Sequence, residues 1–191
     1  MAIRSFLAFE LSPEIRSFLR DLREELISRL GGIRWVPLEN IHLTVLFLGN
    51  IEERDLGPLG EKVGEVAQRY KGFWMKVTGM GIFGGVKNPR VLWVGMDGER
   101  ERMGYFKASL EKALEGFGIK REERTFKPHL TLGRFQEGFK QFDRLRELLD
   151  SHRSLKETPQ FFEELSLFKS QLTSSGSIYT KLSSWKLEGS K

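Results

Sequence analysis

Two short stretches decide how this chain reads: Asn40-Ile41-His42-Leu43-Thr44-Val45 and Lys127-Pro128-His129-Leu130-Thr131-Leu132. The chain has three histidines, and two of them open the same tripeptide. A histidine is followed by Leu-Thr by chance about half a per cent of the time at this composition, so a matched pair among three is rarer than about one in a thousand. Side chains alternate faces along a strand, so each His and the Thr two residues on point the same way. Leu43 and Val45, like Leu130 and Leu132, point the other way and suit a core. Each segment therefore presents an imidazole and a hydroxyl side by side on a strand anchored from behind.

The surroundings of the two motifs match as well. From Ile3 to His42 is 39 residues and from Val91 to His129 is 38, each interval holding one long helix pattern. From His42 to Phe73 is 31 residues and from His129 to Phe161 is 32, again with a helix between. This is an internal repeat, and a pseudo-twofold axis would bring the two His-Thr pairs face to face.

Around these anchors, strands are expected at 3–9, 33–36, 41–48, 73–83, 90–97, 128–135, 161–169 and 177–187. Helices are expected after Ser12-Pro13, an N-cap followed by a residue suited to the first turn, and near 52–70, 99–117 and 140–150. Gly31-Gly32 ends the first helix. Gly84-Gly85-Val86-Lys87-Asn88-Pro89 and Thr173-Ser174-Ser175-Gly176 read as turns. Mingled helices and strands with short turns indicate an α+β fold with antiparallel pairing.

The 191 residues suffice for one domain or two small lobes. No cysteine is present, which excludes disulfides, Cys-ligated metal and a Cys nucleophile. Lys plus Arg is 31 against 26 Asp plus Glu, a net charge of +5 that permits an anionic partner without demanding one. No apolar run matches a membrane span and the amino end lacks a secretory pattern, so no membrane association and a cytoplasmic location are expected.

Two opposed imidazoles suit a reaction that needs one base and one acid near neutral pH. One takes a proton from the attacking oxygen and the other gives one to the leaving oxygen. Thr44 and Thr131 can donate hydrogen bonds to oxygens where negative charge gathers. That is a plan for phosphoryl transfer with no metal and no cofactor. A zinc site on His42 and His129 is the rival, but no accompanying His or carboxylate has ligand spacing. His152 follows a helix end and reads as a surface or capping residue.

With these motifs the chain resembles the 2H phosphoesterases, and within them the RNA 2′,3′-cyclic phosphodiesterases, historically called 2′-5′ RNA ligases. Ile3-Arg4-Ser5-Phe6-Leu7-Ala8-Phe9 resembles the family's opening strand. Arg34-Trp35-Val36-Pro37 with Asn40 through Gly49 resembles its first motif, and Lys127 through Arg134 its second. The resemblance implies a single bilobal domain over 1–191, two pseudo-symmetric lobes of antiparallel sheet with helices outside, and an active site in the central cleft. It implies hydrolysis of RNA 2′,3′-cyclic phosphate ends to 2′-phosphates, with His42 as proton donor to the 3′ oxygen and His129 as the base that activates water. The same site run in reverse would join 2′,3′-cyclic and 5′-hydroxyl ends without ATP.

By the same resemblance Arg134 binds substrate phosphate. It lies five residues after His129, an odd offset that turns it away from the cleft on a regular strand, unless Gly133 hosts a bulge or the strand ends there; a surface arginine is the other reading. The matching position after His42 is Phe47, so the halves are not equivalent. Phe83, Trp35 and Tyr179 are candidates for base stacking or for packing, and Lys87 and Arg90 for the rim of the cleft. The Gly79–Gly85 stretch lies between strands and is not a nucleotide-binding loop. Two other functions stay open: a cyclic phosphodiesterase of small nucleotides, and a nucleotide- or RNA-binding module without turnover. A monomer is expected.

Overall fold

A computed structural model describes residues 1–119, 125–173 and 176–191. Nine strands and four helices are described in the order β1 (Ala2–Phe9), α1 (Pro13–Arg29), β2 (Ile33–Trp35), β3 (Leu43–Glu52), α2 (Leu56–Ala67), β4 (Phe73–Gly85), β5 (Asn88–Gly98), α3 (Arg100–Ala113), β6 (His129–Phe135), α4 (Phe142–Ser151), β7 (Pro159–Phe162), β8 (Glu164–Thr173) and β9 (Gly176–Lys186). The strands form one antiparallel sheet in the order β7-β4-β5-β6-β3-β1-β8-β9, with β2 against β6.

The sheet has two wings, β7-β4-β5-β6 and β3-β1-β8-β9, joined where β3 meets β6 through the single pair Leu43 and Leu130. The sequence repeats β1-α1-β3-α2-β4 and β5-α3-β6-α4-β8 do not coincide with these wings. Each repeat sends its third strand to the other wing: β4 pairs with β5, and β8 with β1. The two repeats are thereby interlocked, so no single cut of the chain separates the wings.

Alternation along the strands builds the core. Leu7 and Phe9, Leu43 and Val45, Leu92 and Val94, and Leu130 and Leu132 are all buried. The helices add Ile15, Leu19, Leu22 and Leu26 from α1, Leu59, Val63 and Val66 from α2, Met103, Phe106 and Leu110 from α3, and Leu145 and Leu148 from α4, all in one continuous cluster. Ser12 caps α1 as its sequence promised, its side chain accepting from the Ile15 N–H.

Several boundaries differ from the sequence reading. The strand expected at 161–169 is two strands, β7 and β8, broken at Glu163. The Gly84–Pro89 turn shrinks to Val86 and Lys87, because Gly85 and Asn88 already pair. Of the second turn, Ser174 and Ser175 lie outside the described residues, while Thr173 and Gly176 pair as hairpin ends. Helix α1 ends at Arg29 with Leu30 as its cap, just ahead of the two glycines. No described helix is long and apolar enough to cross a membrane.

Candidate active site

The β3–β6 junction assembles the candidate site. Leu43 and Leu130 pair across it and both are fully buried. Their neighbours His42, Thr44, His129 and Thr131 therefore project from the opposite face, and all four are half-buried. Continuing the register by one residue sets His42 across from Thr131 and Thr44 across from His129. The two imidazoles are then diagonal neighbours, a relation that in a regular antiparallel pair places the residues about 7–8 Å apart and their Cβ atoms somewhat closer.

The two histidines are held alike. His42 Nδ1 lies 2.8 Å from the carbonyl of Asn40, and His129 Nδ1 lies 2.6 Å from the carbonyl of Lys127. A carbonyl only accepts, so each ring donates from Nδ1–H and leaves Nε2 as the nitrogen that exchanges protons. Burial among apolar groups lowers the pKa of both rings below its ordinary value, and the carbonyl contacts oppose this in part. His42 is lowered further by His129 and by the Arg16 guanidinium, so each imidazole lies within the electrostatic field of the other. Among the described residues the hydroxyls of Thr44 and Thr131 make no side-chain hydrogen bond, which leaves them free to donate to a ligand.

Aromatic rings wall both imidazoles. Phe6 stacks on His42 with centroids 4.7 Å apart, and Tyr179 meets it edge-on at 5.3 Å. Phe168 stacks on Phe6 at 5.4 Å. On the other side Phe83 meets His129 edge-on at 4.8 Å, with Trp93 tilted at 6.3 Å. Phe83 and Tyr179, candidates for stacking or packing in the sequence, thus both pack on a histidine, whereas Trp35 packs against the core. Phe6, Phe168 and Trp93 escaped the sequence reading. A signal existed: Phe6 and Trp93 each lie 36 residues before a motif histidine.

The glycine-rich stretch serves Trp93. Gly81 pairs with Trp93 across β4–β5, and a Cβ there would fall 2.3 Å from the indole. Only a bare backbone at Gly81 leaves room for the indole in this position beside His129.

Of the two readings open at Gly133, a bulge or a strand end, β6 continues to Phe135 and is bulged one residue earlier. Trp93 pairs with Thr131 but Leu92 with Gly133, so Leu132 is the extra residue on β6. Alternation restarts after it. Arg134, opposite Val91, returns to the face that carries His129 and Thr131. An equivalent bulge at Val45 returns Phe47 to the face of His42 and Thr44, since Ala8 pairs with Thr44, Leu7 with Leu46 and Phe6 with Phe47. The two halves thus offer an arginine and a 66% exposed phenylalanine at matched positions.

Two cavities adjoin this face. One of about 230 Å³ is lined by His42, Arg16, Asn40, Phe168, Tyr179 and Lys181 among others. The larger, about 470 Å³, lies past the far end of the motif at Arg134, with Arg34, Lys87 and Arg90. His152 is elsewhere and is not a surface residue: it caps α4, is buried, holds the Leu148 carbonyl at 2.8 Å and lies 3.4 Å from Glu25. Among the described residues no three His, Cys, Asp or Glu side chains are grouped to hold a metal ion.

A family model described as LigT like phosphoesterase matches the chain twice, over residues 9–93 and 94–179. The chain belongs to the LigT-like phosphoesterases. The double match restates the internal repeat, and the resemblance to 2H phosphoesterases holds at this level. A relative from Methanothermobacter thermautotrophicus, curated as RNA 2′,3′-cyclic phosphodiesterase, is 30% identical over 187 residues, covering 98% of this chain and all of its own. One of the same name from Aquifex aeolicus is also 30% identical, over 98% of each chain. A crystal structure of a Thermus thermophilus protein superposes with a TM-score of 0.82 at 25% identity, covering 99% of this chain and all of that one. Escherichia coli LigT in complex with 3′-AMP shares the fold, with a TM-score of 0.78 at 24% identity over 98% of this chain and 99% of that one.

Proposed function

We propose that this LigT-like phosphoesterase hydrolyses the 2′,3′-cyclic phosphate ends of RNA to 2′-phosphates by His/His acid–base catalysis. What carries the reading is the single sheet face on which His42, Thr44, His129 and Thr131 stand together, both rings donating from Nδ1 to a carbonyl. The names of its full-length relatives supply the substrate class.

In the proposed reaction the cyclic phosphate lies between the two Nε2 atoms. Neutral His129 takes a proton from water as the water oxygen bonds to phosphorus. The bond from phosphorus to O3′ breaks, and protonated His42 gives its Nε2 proton to O3′. The product carries a 2′-phosphate and a free 3′-hydroxyl. Thr44 and Thr131 donate to the non-bridging oxygens as their charge rises, and Arg134 attracts the phosphate from the same face. Burial favours the neutral form of both imidazoles, and the arriving anion raises the pKa of its proton donor, which favours the acid form when it is needed. With a 5′-hydroxyl in place of water as the attacking group, the same groups would join that end to the 2′-phosphate as P–O3′ breaks, giving a 2′-5′ linkage and a free 3′-hydroxyl.

The test is incubation with an oligonucleotide ending in a 2′,3′-cyclic phosphate, in EDTA, with identification of the product isomer. The 2′-phosphate is expected. A 3′-phosphate product, loss of turnover in EDTA, or tight binding with no product in a single turnover would overturn the proposal.

A further inference from the structure

The larger cavity beside Arg134 has a charge arrangement that the reacting phosphate does not account for. Arg34 on β2 stands directly across from Arg134 on β6, and both are exposed. Like charges at directly opposed positions destabilise a ladder. Lys87, in the two-residue turn between β4 and β5, and Arg90 line the same cavity, against Glu137 as its one lining carboxylate. Among the described residues none of these four cations makes an ion pair or a side-chain hydrogen bond. Elsewhere Arg29, Arg102, Arg146 and Arg153 all pair with a carboxylate within one helical turn. Four unneutralised cations around one cavity of about 470 Å³ form a site for an anion. Guanidinium forks grip phosphate through paired N–H donors.

The bulge at Leu132 fixes where that anion lies. It turns Arg134 onto the imidazole face, so the cavity continues the surface that holds His129 and Thr131. With Leu132 bulged out, Arg134 stands two strand positions beyond Thr131, their partners being Val91 and Trp93 on β5, a rise of about 7 Å. That step exceeds the reach of one phosphate group and matches the spacing of successive phosphates on a single strand. The opposite half has Phe47 where this half has Arg134, and its pocket holds the aromatic rings on His42. Unpaired cations therefore gather at the Arg134 end of the face, whereas in the His42 pocket Lys181 pairs with Glu10 and Arg16 donates to the carbonyls of Leu11 and Leu38.

We propose that Arg34, Lys87 and Arg90, with Arg134 shared between the two sites, form a second phosphate site that holds the internucleotide phosphodiester next to the terminal cyclic phosphate. The substrate is then an oligonucleotide rather than a mononucleotide, and its chain runs from the His pair toward the β4–β5 turn. This rests on the reading of the His pair as the place of the reacting phosphate.

The test removes one charge from the substrate. Two dinucleotides ending in a 2′,3′-cyclic phosphate are compared, one with a phosphodiester linkage and one with a neutral methylphosphonate, both with a 2′-O-methyl upstream ribose. For the unmodified protein, kcat/KM is expected to fall about tenfold to a hundredfold with the methylphosphonate, carried by KM. In the Arg34→Ala/Arg90→Ala variant the same change is expected to cost less than about threefold. The salt dependence with the phosphodiester substrate should also weaken, the log–log slope falling by about 0.7 for each phosphate that the variant no longer neutralises. Equal turnover of the two dinucleotides by the unmodified protein, or an undiminished penalty in the variant, would overturn the proposal. If neither dinucleotide is hydrolysed, the reading of the His pair fails instead. Fluorescence anisotropy of the same two ligands then still decides the second site: tighter binding of the charged one, abolished in the variant, supports it, and equal binding overturns it.

Discussion

Gly81 should be intolerant of a single methyl group. In Gly81→Ala the new Cβ would lie 2.3 Å from two indole carbons of Trp93, where ordinary contact begins near 3.4 Å. The indole must therefore shift by about 1 Å, the difference between those separations. It has little room: Phe83 lies 5.5 Å from it, centroid to centroid, and Phe83 is itself edge-on to His129 at 4.8 Å. Pressure on Trp93 thus reaches the imidazole directly and through Phe83. A misplacement of about 1 Å at a reacting group can cost about a hundredfold in rate, so a fall in kcat of about tenfold to a hundredfold is expected. Overpacking of this kind costs about 1–3 kcal/mol, a drop of a few degrees in Tm. The assay is hydrolysis of a cyclic-phosphate oligonucleotide beside thermal unfolding. The double variant Gly81→Ala/Trp93→Phe, with a smaller ring over the methyl, should recover most of the lost rate. An unchanged kcat in Gly81→Ala, or a loss that Trp93→Phe leaves untouched, would refute the link from Gly81 through Trp93 to His129.

Three further outcomes follow from the site. Both motif histidines have lowered pKa values, so the bell of kcat/KM against pH should centre below about 6.5, the ordinary imidazole value. The bound anion raises the pKa of its proton donor, so the bell of kcat should lie at higher pH than that of kcat/KM; coincident bells would contradict this. The same shifts affect stability. The unfolded chain binds more protons at these histidines than the folded one, so their contribution is full above about 6.5 and is lost as pH falls through the folded values. Urea midpoints between pH 7.5 and 5 should show that decline, and His42→Gln should reduce it. At the junction itself, Leu130→Ala removes a fully buried side chain from the one pair that joins the wings. Chemical denaturation should show a loss of about 2–5 kcal/mol, with reduced turnover even where the protein stays folded, because β6, which carries His129, meets there the start of β3, which follows His42 directly.

Much of this was legible in the residues. The alternation His-Leu-Thr-Val and His-Leu-Thr-Leu announced strands with a polar and a buried face, and the sheet has that arrangement at both. Gly133 after Leu132 hinted at the bulge, and the pairing of Trp93 and Leu92 locates it. The exchange of third strands was not legible. A repeat records which elements recur and not which copy each one pairs with, and β4 is joined to β5 by a turn of two residues that favours pairing across the repeat boundary. The aromatic walls were missed because Phe6 and Trp93 sit in apolar strands where a ring reads as core. What distinguishes them is their shared distance from a histidine, which acquires meaning only when β1 lies beside β3 and β5 beside β6. Of the two readings open for His152, a surface or a capping residue, capping holds: it ends α4, and the helix end turns it inward against Glu25.

The central claim is that two imidazoles serve one phosphorus atom as a unit. The most direct measurement is the single-turnover rate on a cyclic-phosphate oligonucleotide for His42→Gln, His129→Gln and the double variant, with folding checked by circular dichroism. Groups that act together are strongly non-additive. Each single variant is expected to lose about a hundredfold to ten-thousandfold, and the double variant little more than either. A near-normal rate in one single variant, or losses that multiply in the double, would mean that the two histidines do not share a reaction.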